Sequence, residues 1–146
     1  MNELLGYVKK KLQDAPGVAD ISFKTPLEEG GELFSYLVAT KYSKKLYVIF
    51  NGALPPVRKT SFVFNRWSWH PMFDGSVLYI TDPTLIKHPE LYLAWYSGIR
   101  DFDFLDFVVD FILQVQEFLG GDQVITYGSS GGGYTALQVA ARMGKH

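Results

Sequence analysis

The sequence predicts an α/β domain built on a mostly parallel sheet with helices on both faces, and three observations carry that reading. Short apolar, β-rich runs recur along the chain: residues 45–50 (KLYVIF), 76–80 (SVLYI) and 123–127 (QVITY). Long connections separate them, as parallel neighbours require. The last run passes through a glycine-rich turn straight into a segment patterned as a helix.

Each element follows from local chemistry. Residues 2–14 read as a short basic amphipathic helix stopped by Pro16-Gly17. Residues 18–24 and 32–40 alternate partially and flank Pro26 and Gly30-Gly31, which suits strands at an antiparallel margin. Residues 45–50 and 76–80 are apolar enough for buried strands. Residues 101–119 form the clearest helix, with Asp103, Asp106, Asp110, Gln114 and Glu117 spaced by three and four along one stripe. Gly120-Gly121 supplies its stop. Residues 123–127 have the β-branched and aromatic content of a central strand. Residues 132–143 form a helix whose Gly133, Ala136 and Ala140 permit close approach to a sheet. The connections 51–75 and 81–100 hold most of the Trp, Pro and His, and loops of such length usually serve function.

Composition narrows the field. The 146 residues suffice for one domain, 1–146, and 47% apolar with 16% aromatic content excludes a disordered chain. A formal charge of −1 gives no electrostatic attraction to nucleic acid or anionic lipid. The absence of cysteine removes disulfides, thiolate metal sites and cysteine nucleophiles. No His or carboxylate cluster has metal-ligand spacing, so neither metal nor cofactor is expected. The N-terminal run lacks the apolar core of a signal peptide, and the stretch 102–119 carries three aspartates. No membrane span and a cytoplasmic location are the resulting expectations.

The sharpest chemical signal is Gly128-Ser129-Ser130-Gly131-Gly132 between a strand and a helix. A nucleophilic serine needs a tight, strained turn that projects its hydroxyl from the sheet, and glycines that let neighbouring backbone pass. Ser130, two residues from a glycine on either side, is the candidate nucleophile. A plain glycine turn with helix-capping serines is the competing reading. A phosphate loop is disfavoured because Tyr134 stands where lysine is needed. Phe50-Asn51-Gly52-Ala53 closes the KLYVIF strand, and its backbone lies within reach of Ser130 if the two strands are neighbours.

These features, with the Thr81-Asp82-Pro83 strand end, resemble the α/β-hydrolase fold from its first strand through the nucleophile helix. More loosely, FNGA, Phe64-Asn65-Arg66-Trp67 and Asp82-Pro83 resemble bacterial hydrolase-like proteins linked to surface polysaccharide or accessory glycoprotein secretion. The resemblance implies acyl transfer on a small-molecule or carbohydrate ester. Ser130 would be the nucleophile, with Gly131 and either Gly52 or Ala53 as oxyanion donors. It also implies that an acid and a histidine follow the nucleophile, and no acidic residue follows Ser130 here, so the domain reads as partial, truncated after the nucleophile helix. His70 and His88 are the available bases; Asn51, Asp82, Arg66 and Trp67 are candidates for shaping the site or touching substrate. Trp69, Trp95 and Tyr96 are further candidates for a substrate wall. The alternative is a catalytically inactive binding or assembly module, associating with itself or a partner through an exposed strand 123–127.

Overall fold

The computed structural model describes residues 10, 13–14, 17–26, 32–40, 43–54, 63–98 and 102–144. The helix expected at 2–14 lies largely outside them. Five strands form one sheet: β1 (Val18–Pro26), β2 (Glu32–Thr40), β3 (Lys45–Phe50), β4 (Ser76–Ile80) and β5 (Gln123–Gly128). Among the described residues three α-helices accompany them: α1 (Pro83–Lys87), α2 (Phe104–Leu119) and α3 (Gly131–Met143). A 3-10 turn spans Trp67–Met72. The α1 helix and the 3-10 turn occupy stretches that the sequence suggested were long loops.

The sheet order is β1-β2-β4-β3-β5. It is mixed, and this corrects the expected mostly parallel, α/β-hydrolase-like arrangement. β1 pairs antiparallel with β2, and β2 antiparallel with β4; only β3–β4 and β3–β5 are parallel. The physical reason lies in the connections. Residues 27–31 are too few for a crossover, so β2 must return alongside β1 as a hairpin. β4 then inserts between β2 and β3, meeting one in each sense.

Strand alternation divides the core into two layers. Leu46, Val48, Phe50, Leu78 and Ile80 pack with Phe104, Val108, Phe111 and Ile112 of α2 and with Ala136 and Val139 of α3. Val38, Ile49, Val77 and Tyr79 face the other way and are covered by Phe64 and Phe73 from the β3–β4 connection. Helices on both faces were expected; among the described residues, α2 and α3 share one face and an aromatic loop covers the other.

The α2 helix begins and ends as local rules require. The Asp103 carboxylate accepts from the Leu105 amide at 2.9 Å, and Gly120 closes α2 at φ 64°. Part of the acidic stripe is engaged, since Arg142 of α3 donates to Asp103 at 2.9 Å and to Asp106 at 2.5 Å.

Candidate functional site

The parallel register β3–β5 sets Phe50 opposite Gly128, so the turns that follow the two strands emerge side by side. Ser130 lies in the second turn at φ 54°, ψ −128°, a conformation that costs a non-glycine residue about 1–3 kcal/mol. Three of the amides in the first turn of α3 are satisfied by backbone: Gly132 donates to the Ser129 carbonyl at 3.0 Å, and Gly133 and Tyr134 donate to the Ser130 carbonyl at 3.0 and 3.2 Å. The Ser130 side chain makes no capping bond, and the residue is exposed.

Close backbone approach explains the glycines. A Cβ on Gly132 would sit 2.5 Å from the Phe50 carbonyl oxygen and 2.8 Å from the Asn51 carbonyl carbon. A Cβ on Gly52 would lie 2.8 Å from the Ser129 carbonyl oxygen and 3.6 Å from the Ser130 Cβ. The amides of Gly52 and Ala53 donate to no acceptor among the described residues.

These turns form one side of a cleft of about 450 Å³, lined by Gly52, Ala53, Asn65, Arg66, Trp69, Ser129 and Ser130. Arg66 reaches it from the β3–β4 connection. Its backbone is left-handed at φ 61°, and its carbonyl accepts from the Tyr79 hydroxyl at 3.2 Å. Burial pushes the Tyr79 hydroxyl up to about 12, with the neighbouring Tyr36 adding to the shift, so it stays a donor. The guanidinium carbon lies 5.1 Å from the Trp69 ring centroid and 5.5 Å from that of Tyr127. One terminal nitrogen donates to Ser129 Oγ at 2.8 Å.

Asn51 is buried and joins the two walls. Its Oδ1 accepts from the Asn65 amide at 2.8 Å, and its Nδ2 donates to the Val63 carbonyl. Its own amide donates to the Tyr96 hydroxyl at 2.8 Å, and that hydroxyl donates to the Ile80 carbonyl at 2.7 Å. Tyr96, expected on a substrate wall, is instead fully buried as a tie between the ends of β3 and β4. Asp82 is buried too: Oδ1 accepts from the Thr84 amide at 3.0 Å, capping α1, and Oδ2 from the Tyr96 amide at 2.8 Å. Burial pushes the Asp82 carboxyl up, against hydrogen bonds from Tyr96, Thr84 and Leu85 that hold it down.

The structure thus brings Ser130, Gly52, Ala53 and Arg66 to one cleft, with Gly131 buried directly behind Ser130. Asn51 and Asp82 hold the scaffold. His70 Nδ1 stands 3.2 Å from the Trp67 carbonyl, His88 Nδ1 stands 3.3 Å from Glu90 Oε1, and neither histidine lines the cleft. Trp67 and Trp95 are exposed outside it, whereas Trp69 forms part of its wall. Asn65 and the pairing of Ser129 with Arg66 were not anticipated. Their signal lay in the Phe64-Asn65-Arg66-Trp67 run, but a loop without periodicity does not say which way its side chains turn. No group of three metal-ligating side chains occurs among the described residues, and none of their helices is long and apolar enough to cross a membrane.

Comparison with known proteins finds no matching family and no matching curated protein. A solved structure, the Glycosylation Associate Protein (Gap123) complex from Streptococcus agalactiae, is similar in fold, with a TM-score of 0.62 at 23% identity. The match covers 82% of this chain and 21% of that one, so the chain spans about a fifth of the length of the protein it matches. At this identity the likeness is one of fold alone.

Proposed function

We propose that this chain is a binding and assembly module whose β5 rim takes a strand from another polypeptide. The observation that carries the reading is the state of β5. Among the described residues it pairs with β3 on one side and with no strand on the other. Its residues are at best half-buried despite their β-branched and aromatic content. Apolar side chains stand exposed on β5 and on the helix that follows: Tyr127 at 38%, Tyr134 at 53% and Leu137 at 72%. An open row of backbone donors and acceptors beside apolar surface is a ready template for strand addition. The similar fold in a glycosylation-associated complex supports the same reading.

In isolation, a second copy of the chain can supply the added strand. Light scattering across a dilution series is expected to show concentration-dependent association, with amides of residues 123–128 gaining hydrogen-exchange protection as assembly proceeds. Leu137→Glu should weaken that association. A chain that stays monomeric at every concentration, with β5 amides already as protected as those of β3, rules the rim out as an interface.

A second reading is favoured by the backbone at Ser130: acyl transfer through its hydroxyl on a small-molecule or carbohydrate ester. The strained φ,ψ pair and the uncommitted Gly52 and Ala53 amides are what such a nucleophile and its oxyanion donors require. Gly131 would supply the further donor. Since His70, His88 and Asp82 stand elsewhere and no histidine or carboxylate among the described residues lines the cleft, we assign the base to the polypeptide that pairs with β5. Fluorophosphonate labelling is therefore expected to be weak in the chain alone, stronger in an assembled state, and absent in Ser130→Ala. Equal labelling of the variant would remove this reading and leave the assembly reading untouched.

A further inference from the structure

We infer that the cleft beside Ser130 is a binding site for a small oxyanion, carboxylate or phosphate, with Arg66 as its recognising cation. This goes beyond both readings above, because it holds whether or not Ser130 reacts.

A surface arginine ordinarily pairs with a carboxylate or moves freely in water, and Arg66 does neither. No acidic group lies within ion-pair distance of it among the described residues. Yet its position is determined from several directions. The Tyr79 hydroxyl holds its carbonyl, the Trp69 and Tyr127 rings flank its guanidinium, and Ser129 Oγ takes one N–H. A guanidinium offers five donors in a rigid fork, and only one is engaged within the described structure.

The cleft into which this group is set has the complementary bias. Its seven lining residues include no aspartate or glutamate, and two of them, Gly52 and Ala53, carry amides that meet no acceptor among the described residues. A neutral ligand would leave the cation uncompensated, whereas an oxyanion accepts from the guanidinium through charge-assisted bonds. The left-handed backbone at Arg66 is further evidence of selection for placement, because a long side chain gains nothing locally from φ 61°. Trp69 adds an apolar wall for the body of a ligand whose anionic end is held by Arg66.

The experiment is a titration of the intact chain with sodium phosphate and, separately, sodium acetate at constant ionic strength. The readouts are the Arg66 Nε–Hε resonance and the Trp69 indole resonance. Saturable shifts of both are expected, with phosphate the tighter ligand if the natural group is a phosphoester and acetate if it is a carboxylate. Arg66→Gln should weaken binding about tenfold or more, as loss of a charge-assisted pair does. Arg66→Lys, which keeps the charge and loses the fork and the ring stacking, should fall between the two. Should Arg66→Gln fail to fold, the lysine variant still decides: affinity unchanged from wild type would mean bare charge attraction and would overturn the site. Shifts that never saturate, or a Trp69 shift that is the same in Arg66→Gln, overturn it equally.

Discussion

Gly128→Ala and Gly132→Ala are each expected to destabilise the domain by about 3 kcal/mol or more, a large share of the stability a domain of this size possesses. An added Cβ at Gly128 would collide with the Gly132 carbonyl and lie 2.7 Å from the Gly133 amide nitrogen. At Gly132 it would press on the Phe50 carbonyl oxygen at 2.5 Å. In both cases the obstacle is backbone, which cannot rotate away, so α3 would have to retreat from β5 in the first variant and from the end of β3 in the second. Gly131→Ala provides the contrast. Its Cβ would meet only the end of the Leu93 side chain, which can change rotamer, and the first turn of a helix favours alanine. Thermal or urea unfolding of the three variants checks the ranking. Equal losses at all three positions would mean that the turn does not press on β3 as described.

The second large effect is expected at Asp82. Asp82→Ala leaves the Thr84 and Tyr96 amides without their acceptor in a buried setting, and at about 1–3 kcal/mol for each orphaned group the loss is about 2–6 kcal/mol. The damage should spread, because the Tyr96 hydroxyl ties the Asn51 amide to the Ile80 carbonyl, and Asn51 in turn places the segment that carries Arg66. Asp82→Asn keeps one acceptor oxygen and should cost less. The pH dependence is also specified. Burial raises the folded carboxyl above its ordinary value of 3.8, so the fold favours the protonated form. The contribution of this titration to stability is complete below that value and is lost as pH rises through the raised folded pKa. Wild type should therefore lose stability relative to Asp82→Asn over that window. Parallel pH profiles of the two proteins would show that burial does not govern this carboxyl.

Much of the secondary structure was legible because its causes are local. Strands at 32–40, 45–50 and 76–80 lie where composition placed them, and the strand expected at 123–127 and the helix expected at 132–143 are each within one residue of expectation. The α2 helix starts three residues later than its pattern suggests, because Asp103 caps it. The α1 helix was hidden because five residues carry too little periodicity to register. At the site, the glycines around Ser130 and the Asn51-Gly52 turn could be read from the chain, since tight turns depend on residue type. The aromatic supply near the cleft could be counted, but not divided into Trp69 at the wall, Trp67 and Trp95 in solvent, and Tyr96 in the core.

The sequence alone therefore determined which segments extend, which coil and where the backbone must bend sharply, for those choices are settled within a few residues. It also placed β1 and β2 at an antiparallel margin, as their short connection requires, but did not determine how the other strands meet. The β2–β4 pairing is antiparallel because β4 enters between β2 and β3, a decision made by segments distant along the chain. Nor could it bring Arg66 to Ser129, a partner 63 residues away. Long-range contacts of this kind depend on the packing of the whole sheet and its covering loops, and only the folded structure contains that information.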